Sequence, residues 1–199
     1  MNIAIDLDEV LVDYVSTFLD YHNLTYKTSF NKQQMREYAW WRLFNCTRKE
    51  AIERAYSFYK TEYFRNLQPI RGSIEAVSIL AKNNNLSIVT SRPSDIEQET
   101  LAWLNRYFPQ KFPEVCFTNE WSSNYPSNAK KSDLCKKLEI PVIIEDAPET
   151  SMECAESGMR VLLYDCPWNQ KIQHPKIRRV KSWPEALREI SKILESHNP

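Results

Sequence analysis

Residues 3–13 read Ile-Ala-Ile-Asp-Leu-Asp-Glu-Val-Leu-Val-Asp, an apolar run that closes on an acidic string. The run predicts a buried strand over 2–6, with Asp6 at its carboxyl end and Asp8 just beyond. In an open α/β sheet, ligands bind outside the carboxyl ends of the strands. Two carboxylates this close repel, so both ionise comfortably only beside a cation, and otherwise one keeps its proton. Oxygen donors of this kind suit a hard divalent cation such as Mg2+. An isolated Asp-x-Asp is more often a solvated turn, so the remainder of the chain has to decide.

Working outward, apolar runs predict further strands over 86–90, 115–117, 142–145 and 161–164. Helical spacing fills the intervals. Segment 72–82 carries Ile74, Val77 and Leu80 on one face, and 94–108 opens with Ser94 and Glu97 in capping-box spacing. Shorter helices are expected over 131–138 and 148–157, the second stopped by Gly158. Ser182 and Glu185 form another capping-box pair, ahead of a docking face of Leu187, Ile190 and Leu194. This alternation implies an α/β fold, a three-layer Rossmann-like core built on a parallel sheet. The interval between the first two strands is too long for one crossover helix. Residues 15–70 are therefore expected to form a small helical cap inserted after the first strand, with 1–14 and 71–199 as the core. Segment 119–128 is loop-like, and the last few residues are expected to fray.

Composition removes several functions. At 199 residues and 42% hydrophobic content, one domain plus an insertion can bury a real core. Basic and acidic residues balance at 26 each, so no net charge favours nucleic acid or a membrane surface. No apolar run is long enough to span a bilayer, and no secretory signal is visible. The five cysteines form no Cys-x-x-Cys pair, which reads as reduced thiols in a cytoplasmic protein. With two glycines in all, neither a P-loop nor a dinucleotide fingerprint can be built. A bound phosphate must then rely on Lys, Arg, hydroxyls, backbone N–H groups or a metal.

The other strand ends carry such groups. The second strand ends in Thr90-Ser91-Arg92-Pro93, the fourth in Glu145-Asp146, and Lys130-Lys131 opens a helix between them. Each alone reads as a turn or surface charge. Together they gather acidic groups, hydroxyls and a lysine on one side of the sheet, a set suited to phosphoryl transfer.

In these strings the chain resembles the haloacid dehalogenase-like hydrolase superfamily. Asp6-Leu7-Asp8-Glu9-Val10, Thr90 or Ser91, Lys131 (Lys130 as alternate) and Glu145-Asp146 fall in that superfamily's motif order. Within it, the strings look most like the 5'(3')-deoxyribonucleotidases and their bacterial relatives. Pro167-Trp168-Asn169 and Arg179-Val180-Lys181-Ser182-Trp183 fit as well. Two departures are Glu145, where Asp-Asp is frequent, and Ala129, where some members carry a phosphate-binding Arg for which Lys130 or Arg92 would substitute.

The resemblance implies a Mg2+-dependent phosphomonoesterase acting on a small phosphorylated substrate, a nucleoside monophosphate. Asp6 is then the nucleophile, Asp8 the acid and base, and Lys131 with Thr90 or Ser91 the phosphoryl contacts. Metal ligands are Asp6, the Asp8 backbone and Asp146, with Glu145 direct or one step removed. The cap selects substrate. Fourteen of 24 aromatics fall between Tyr14 and Phe64, and most are core bulk. The resemblance places a base-stacking ring at Tyr14; Trp40 and Trp41 are further candidates. Other readings are a phosphatase of another metabolite or of nucleic-acid ends, and a catalytically silent binding module. The oligomeric state is not legible.

Overall fold

The computed structural model describes residues 1–124, 126, 127 and 129–195. Tyr125 and Asn128 of the predicted loop, and residues 196–199, where fraying is expected, lie outside the described residues. Six strands, β1 (Asn2–Ile5), β2 (Asn85–Thr90), β3 (Glu114–Phe117), β4 (Val142–Glu145), β5 (Arg160–Tyr164) and β6 (Ile177–Val180), form one parallel sheet in the order β3-β2-β1-β4-β5-β6. The helices are α1 (Tyr14–Tyr26), α2 (Arg48–Tyr59), α3 (Glu62–Arg65), α4 (Ser73–Leu80), α5 (Glu97–Tyr107), α6 (Lys131–Lys137), α7 (Pro148–Glu156) and α8 (Trp183–Glu195).

Strand residues alternate between the sheet faces, and the two cores follow that alternation. Ile3, Ile5, Ile88, Ile144 and Leu162 face one layer, packed by Val77 and Leu80 of α4, Trp103 and Leu104 of α5, and Trp183, Ala186 and Ile190 of α8. Ala4, Val89, Ile143 and Val161 face the other, under Cys135 of α6 and Cys154 and Ala155 of α7. Full burial of an aliphatic side chain contributes about 1.5–3 kcal/mol, so these two faces are the main stabilising term. The layers and parallel sheet are those expected from the sequence.

Several local expectations need correction. Strand β6 was not expected; Arg178 and Arg179 mask its short apolar pattern, and it pairs with β5 alone. Val77 and Leu80 are buried on α4 as expected, joined by Ser73 and Ala76, but Ile74 is 42% exposed. The Ser94–Glu97 capping box does not form. Residues Ser94–Ile96 make a 3-10 turn, Asn119 Oδ1 accepts the Ser94 N–H at 2.6 Å, and α5 starts at Glu97. Glu185 accepts the N–H of Lys181, one residue earlier than expected, at 2.8 Å.

Segment 15–70 is helical, as expected, through α1, α2, α3 and two 3-10 turns, Lys32–Gln34 and Trp40–Arg42. Its two connections to the sheet run side by side. The Ile70 N–H donates to Leu11 O at 2.7 Å, and the Asp13 N–H to Gln68 O at 3.0 Å. Phe58 is fully buried at the middle of this segment, edge-on to Tyr14, Phe18 and Phe64.

Candidate functional site

The strand order reverses between β1 and β4, and ligand sites of open α/β sheets form at such a reversal. Asp6 follows β1, and Glu145 closes β4 with Asp146 next. The Asp6 N–H donates to Ile144 O at 2.9 Å, which locks the two strand ends together. Lys131, at the first position of α6, reaches between them. Its Nζ lies 2.7 Å from Asp6 Oδ1 and 2.8 Å from Glu145 Oε2, and all three groups are buried. The lysine of the site is thus Lys131. Lys130 turns outward, with its ammonium 2.7 Å from Glu153 Oε1.

Each oxygen of Glu145 is occupied. Oε2 accepts from Lys131, and Oε1 accepts the N–H groups of Asp146 and Ala147 at 3.2 and 3.0 Å. Asp146 is held by the loop that follows β5, the strand next to β4. The Trp168 indole N–H donates to its Oδ2 at 2.9 Å, and Asn169 Nδ2 to its backbone oxygen at 2.8 Å. Arg179 of β6 fixes Asn169 in turn, 2.6 Å from Oδ1. The tail strings singled out in the sequence therefore aim one carboxylate.

Asp6, Glu145 and Asp146 each offer an oxygen within 4.8 Å of the others. Burial, then the charge of Glu145, pushes the Asp6 carboxyl up to about 7 despite Lys131. Burial, then Glu145 and Asp6, raises Asp146 well above the carboxylate range. Burial works against the charge of Lys131, but Asp6 and Glu145 outweigh it and hold the ammonium above the usual lysine range. With all three carboxylates ionised, the one ammonium would leave two negative charges in the cluster. An all-oxygen set with that deficit fits one divalent cation of the Mg2+ type.

The remaining acids nearby are already paired. Asp8 lies outside the cluster and meets Arg92, which donates from Nε to Oδ2 at 2.9 Å and from Nη2 to Oδ1 at 2.6 Å. Arg92 Nη1 also donates to Thr100 at 3.1 Å, and its guanidinium lies over the Phe64 ring. The Asp8 carboxylate is therefore paired through both oxygens, and Arg92 is committed to it. Glu9 stands at φ +62°, in the left-handed region that side chains other than glycine seldom adopt. Its carboxylate accepts the Val15 N–H at 2.6 Å and pairs with Lys32, whose ammonium lies over Trp168. These contacts hold the acidic loop against the start of α1.

A cleft opens on this cluster. Of the sequence-derived candidates, Asp6, Asp8, Tyr14, Trp40, Thr90, Ser91, Arg92 and Asp146 line it. Trp41, Lys130, Lys131 and Glu145 are not part of its lining. Ser91 Oγ donates to Glu120 at 3.0 Å, whereas Thr90 Oγ1 accepts the Arg92 N–H at 3.2 Å. Sequence reasoning missed Tyr38, Trp121 and Trp168 in the lining. The available signal for Trp121 was a tryptophan set in the polar stretch Asn-Glu-Trp-Ser-Ser-Asn.

A parallel sheet with carboxylates, a lysine and hydroxyls at these strand ends defines a hydrolase of the haloacid dehalogenase-like superfamily. Residues 1–194 match the family described as "5' nucleotidase, deoxy (Pyrimidine), cytosolic type C protein", and the chain belongs to that family. It is 26% identical over 197 residues to a nucleotidase of Clostridium acetobutylicum, covering 98% of this chain and 96% of that one. It is 28% identical over 190 residues to the 5'(3')-deoxyribonucleotidase of Bacillus subtilis, covering 94% and 97%. With the mitochondrial 5'(3')-deoxyribonucleotidase of Homo sapiens it shares 27% over 210 residues, covering 100% and 84%. A haloacid dehalogenase-like family hydrolase from Streptococcus pneumoniae has the same fold, with a TM-score of 0.71 at 16% identity over 95% of this chain and 97% of that one.

Proposed function

We propose that the protein is a Mg2+-dependent phosphomonoesterase that hydrolyses nucleoside monophosphates through an aspartyl-phosphate on Asp6. The observation that carries this reading is the buried Lys131 bridge between Asp6 and Glu145 beside Asp146, a carboxylate cluster with a single ammonium. Asp6, Asp146 and the backbone oxygen of Asp8 would hold the cation. Glu145, with both oxygens occupied, positions Lys131. Bound there, the cation would offset repulsion between Asp6 and the anionic ester.

An Asp6 oxygen attacks phosphorus, and the bond from phosphorus to the leaving oxygen breaks. Asp8 gives that alkoxide a proton. Water then attacks phosphorus, loses a proton to Asp8, and the bond to Asp6 breaks, releasing phosphate. For each transfer one Arg92–Asp8 hydrogen bond has to open. Lys131 and the Thr90 or Ser91 hydroxyl stabilise charge on the phosphoryl oxygens. Segment 15–70 acts as a cap that excludes water, and Tyr14 and Trp40 line the part of the cleft that receives the nucleoside. The substrate class follows the names of the relatives, and all five cysteines are free thiols, as suits the cytoplasm.

A panel of nucleoside, sugar and other phosphomonoesters, assayed with Mg2+ and with excess chelator, tests the reading. Chelator-sensitive release of phosphate with nucleoside monophosphates preferred is expected. Hydrolysis undiminished by chelator, or a sugar phosphate preferred to every nucleotide, would overturn it.

A further inference from the structure

We propose that Trp121, on the loop after β3, is a specificity-determining residue that contacts the planar base of the substrate. The inference rests on the nucleotidase reading and adds a part of the base site that comes from the core rather than from segment 15–70. Trp121 lines the same cleft as Asp6 and Asp146. Its ring is surrounded by that segment's aromatics: Tyr38 at 6.1 Å, Trp40 at 5.6 Å and Trp41 at 6.1 Å between centroids. None of these rings lies parallel to it; the interplanar angles are 63°, 40° and 60°. The Arg48 guanidinium sits over the ring, 4.8 Å from its centroid. Among the described residues, Trp121 is thus wedged at the junction of the two parts with no aromatic ring lying parallel to it.

Tyr14 differs. It stacks on Phe18 at 9° and meets Phe58 edge-on, so the protein already uses much of its ring.

The loop also fixes Trp121 relative to the phosphoryl end. The Trp121 N–H donates to Ser91 O at 3.4 Å, and Glu120 accepts from the Ser91 hydroxyl at 3.0 Å. Asn119 accepts the Ser94 N–H, and the Thr118 N–H donates to Thr90 O at 2.9 Å. On the other side, Arg48 Nη2 donates to Glu120 O at 2.8 Å. A ring carried on a loop whose backbone is bonded to the Thr90–Ser91 turn stands at a set distance from the phosphoryl contacts. That is the arrangement needed to select a ligand with an anion at one end and a flat heterocycle at the other.

The test compares wild type, Trp121→Ala and Trp121→Phe on a deoxynucleoside 5'-monophosphate and on deoxyribose 5-phosphate, which lacks the base. For Trp121→Ala the ratio of the two kcat/KM values should fall about tenfold or more, the size of one base–ring stack, and the loss should sit in KM. Trp121→Phe should restore most of it. Adding the free nucleoside should quench tryptophan fluorescence in wild type and much less in Trp121→Phe. An equal fall on both substrates, with the nucleotide KM unchanged, would reduce Trp121 to glue between the two parts and overturn the proposal. Wild-type protein that hydrolyses neither ester would overturn the nucleotidase reading and this proposal with it.

Discussion

The Lys131 ammonium stands 2.7 Å from Asp6 Oδ1, both groups closed off from solvent, so the residue proposed to attack phosphorus is already in a charged contact. The contact opposes burial and the Glu145 charge, the two largest influences raising the Asp6 pKa, without cancelling them.

Removing the ammonium should therefore cost stability as well as turnover. Lys131→Met leaves two buried carboxylates without their cation, and breaking a buried ion pair in this way costs about 3–5 kcal/mol. Urea unfolding in the presence of chelator should show that loss, and Glu145→Gln added to Lys131→Met should recover part of it. A double variant as unstable as the sum of its singles would contradict the coupling.

Cation binding should be visible without turnover. If Asp6 and Asp146 hold one divalent ion, Mg2+ should raise the unfolding midpoint of substrate-free protein. At a hundredfold excess over its Kd the gain is about 2.7 kcal/mol. Asp146→Asn should abolish most of that rise. A midpoint indifferent to Mg2+ in wild type would count against the site.

Arg92 holds both oxygens of Asp8, and a lysine cannot reproduce a bidentate fork. Arg92→Lys should slow hydrolysis of nucleoside monophosphates, whose alkoxide needs a proton on leaving. An activated aryl phosphate, whose leaving group needs none, should suffer several-fold less. Equal losses on both esters would mean that Arg92 acts through folding rather than through Asp8.

His22 makes stability fall in acid. Arg54 donates to its Nε2 at 2.9 Å, which requires a neutral ring, and Nδ1 faces the Thr28 hydroxyl at 3.0 Å. Burial, then the Arg54 charge, lowers its pKa from 6.5 to about 4. Between those values the unfolded chain binds a proton that the folded chain refuses. This contribution is thus fully present above pH 6.5 and is lost as the pH falls toward about 4. His22→Gln, which does not titrate, should flatten the slope of urea stability between pH 7 and 4.5. An unchanged slope would place the acid sensitivity elsewhere.

The parts legible in sequence were those set by local pattern. Apolar runs marked β1, β2, β3, β4 and β5, and the residues at the ends of β1, β2 and β4 converge as expected because a parallel sheet brings its carboxyl ends to one side. Strand β6 was hidden because an edge strand tolerates Arg178 and Arg179 where an inner strand would need apolar side chains. Pairings across long separations were beyond reach for the same kind of reason. Nothing local in Thr-Ser-Arg-Pro says that Arg92 folds back onto Asp8, nor that Trp168 holds Asp146. The choice between Lys130 and Lys131 depended on where α6 begins, since Lys130 is its extended N-cap and Lys131 its first helical residue. The first turn of α6 aims Lys131 inward and leaves Lys130 on Glu153.

The covalent role of Asp6 is the central claim, and trapping the phosphorylated enzyme tests it most directly. A rapid acid quench during single turnover of a nucleoside monophosphate, followed by peptide mass spectrometry, should find one phosphoryl group on Asp6. Borohydride should reduce that acyl phosphate to homoserine at the same position, and Asp6→Asn should show neither. Full turnover with no phosphoryl group on Asp6 at any quench time, or with inversion at a chiral phosphorus, would contradict the aspartyl-phosphate route.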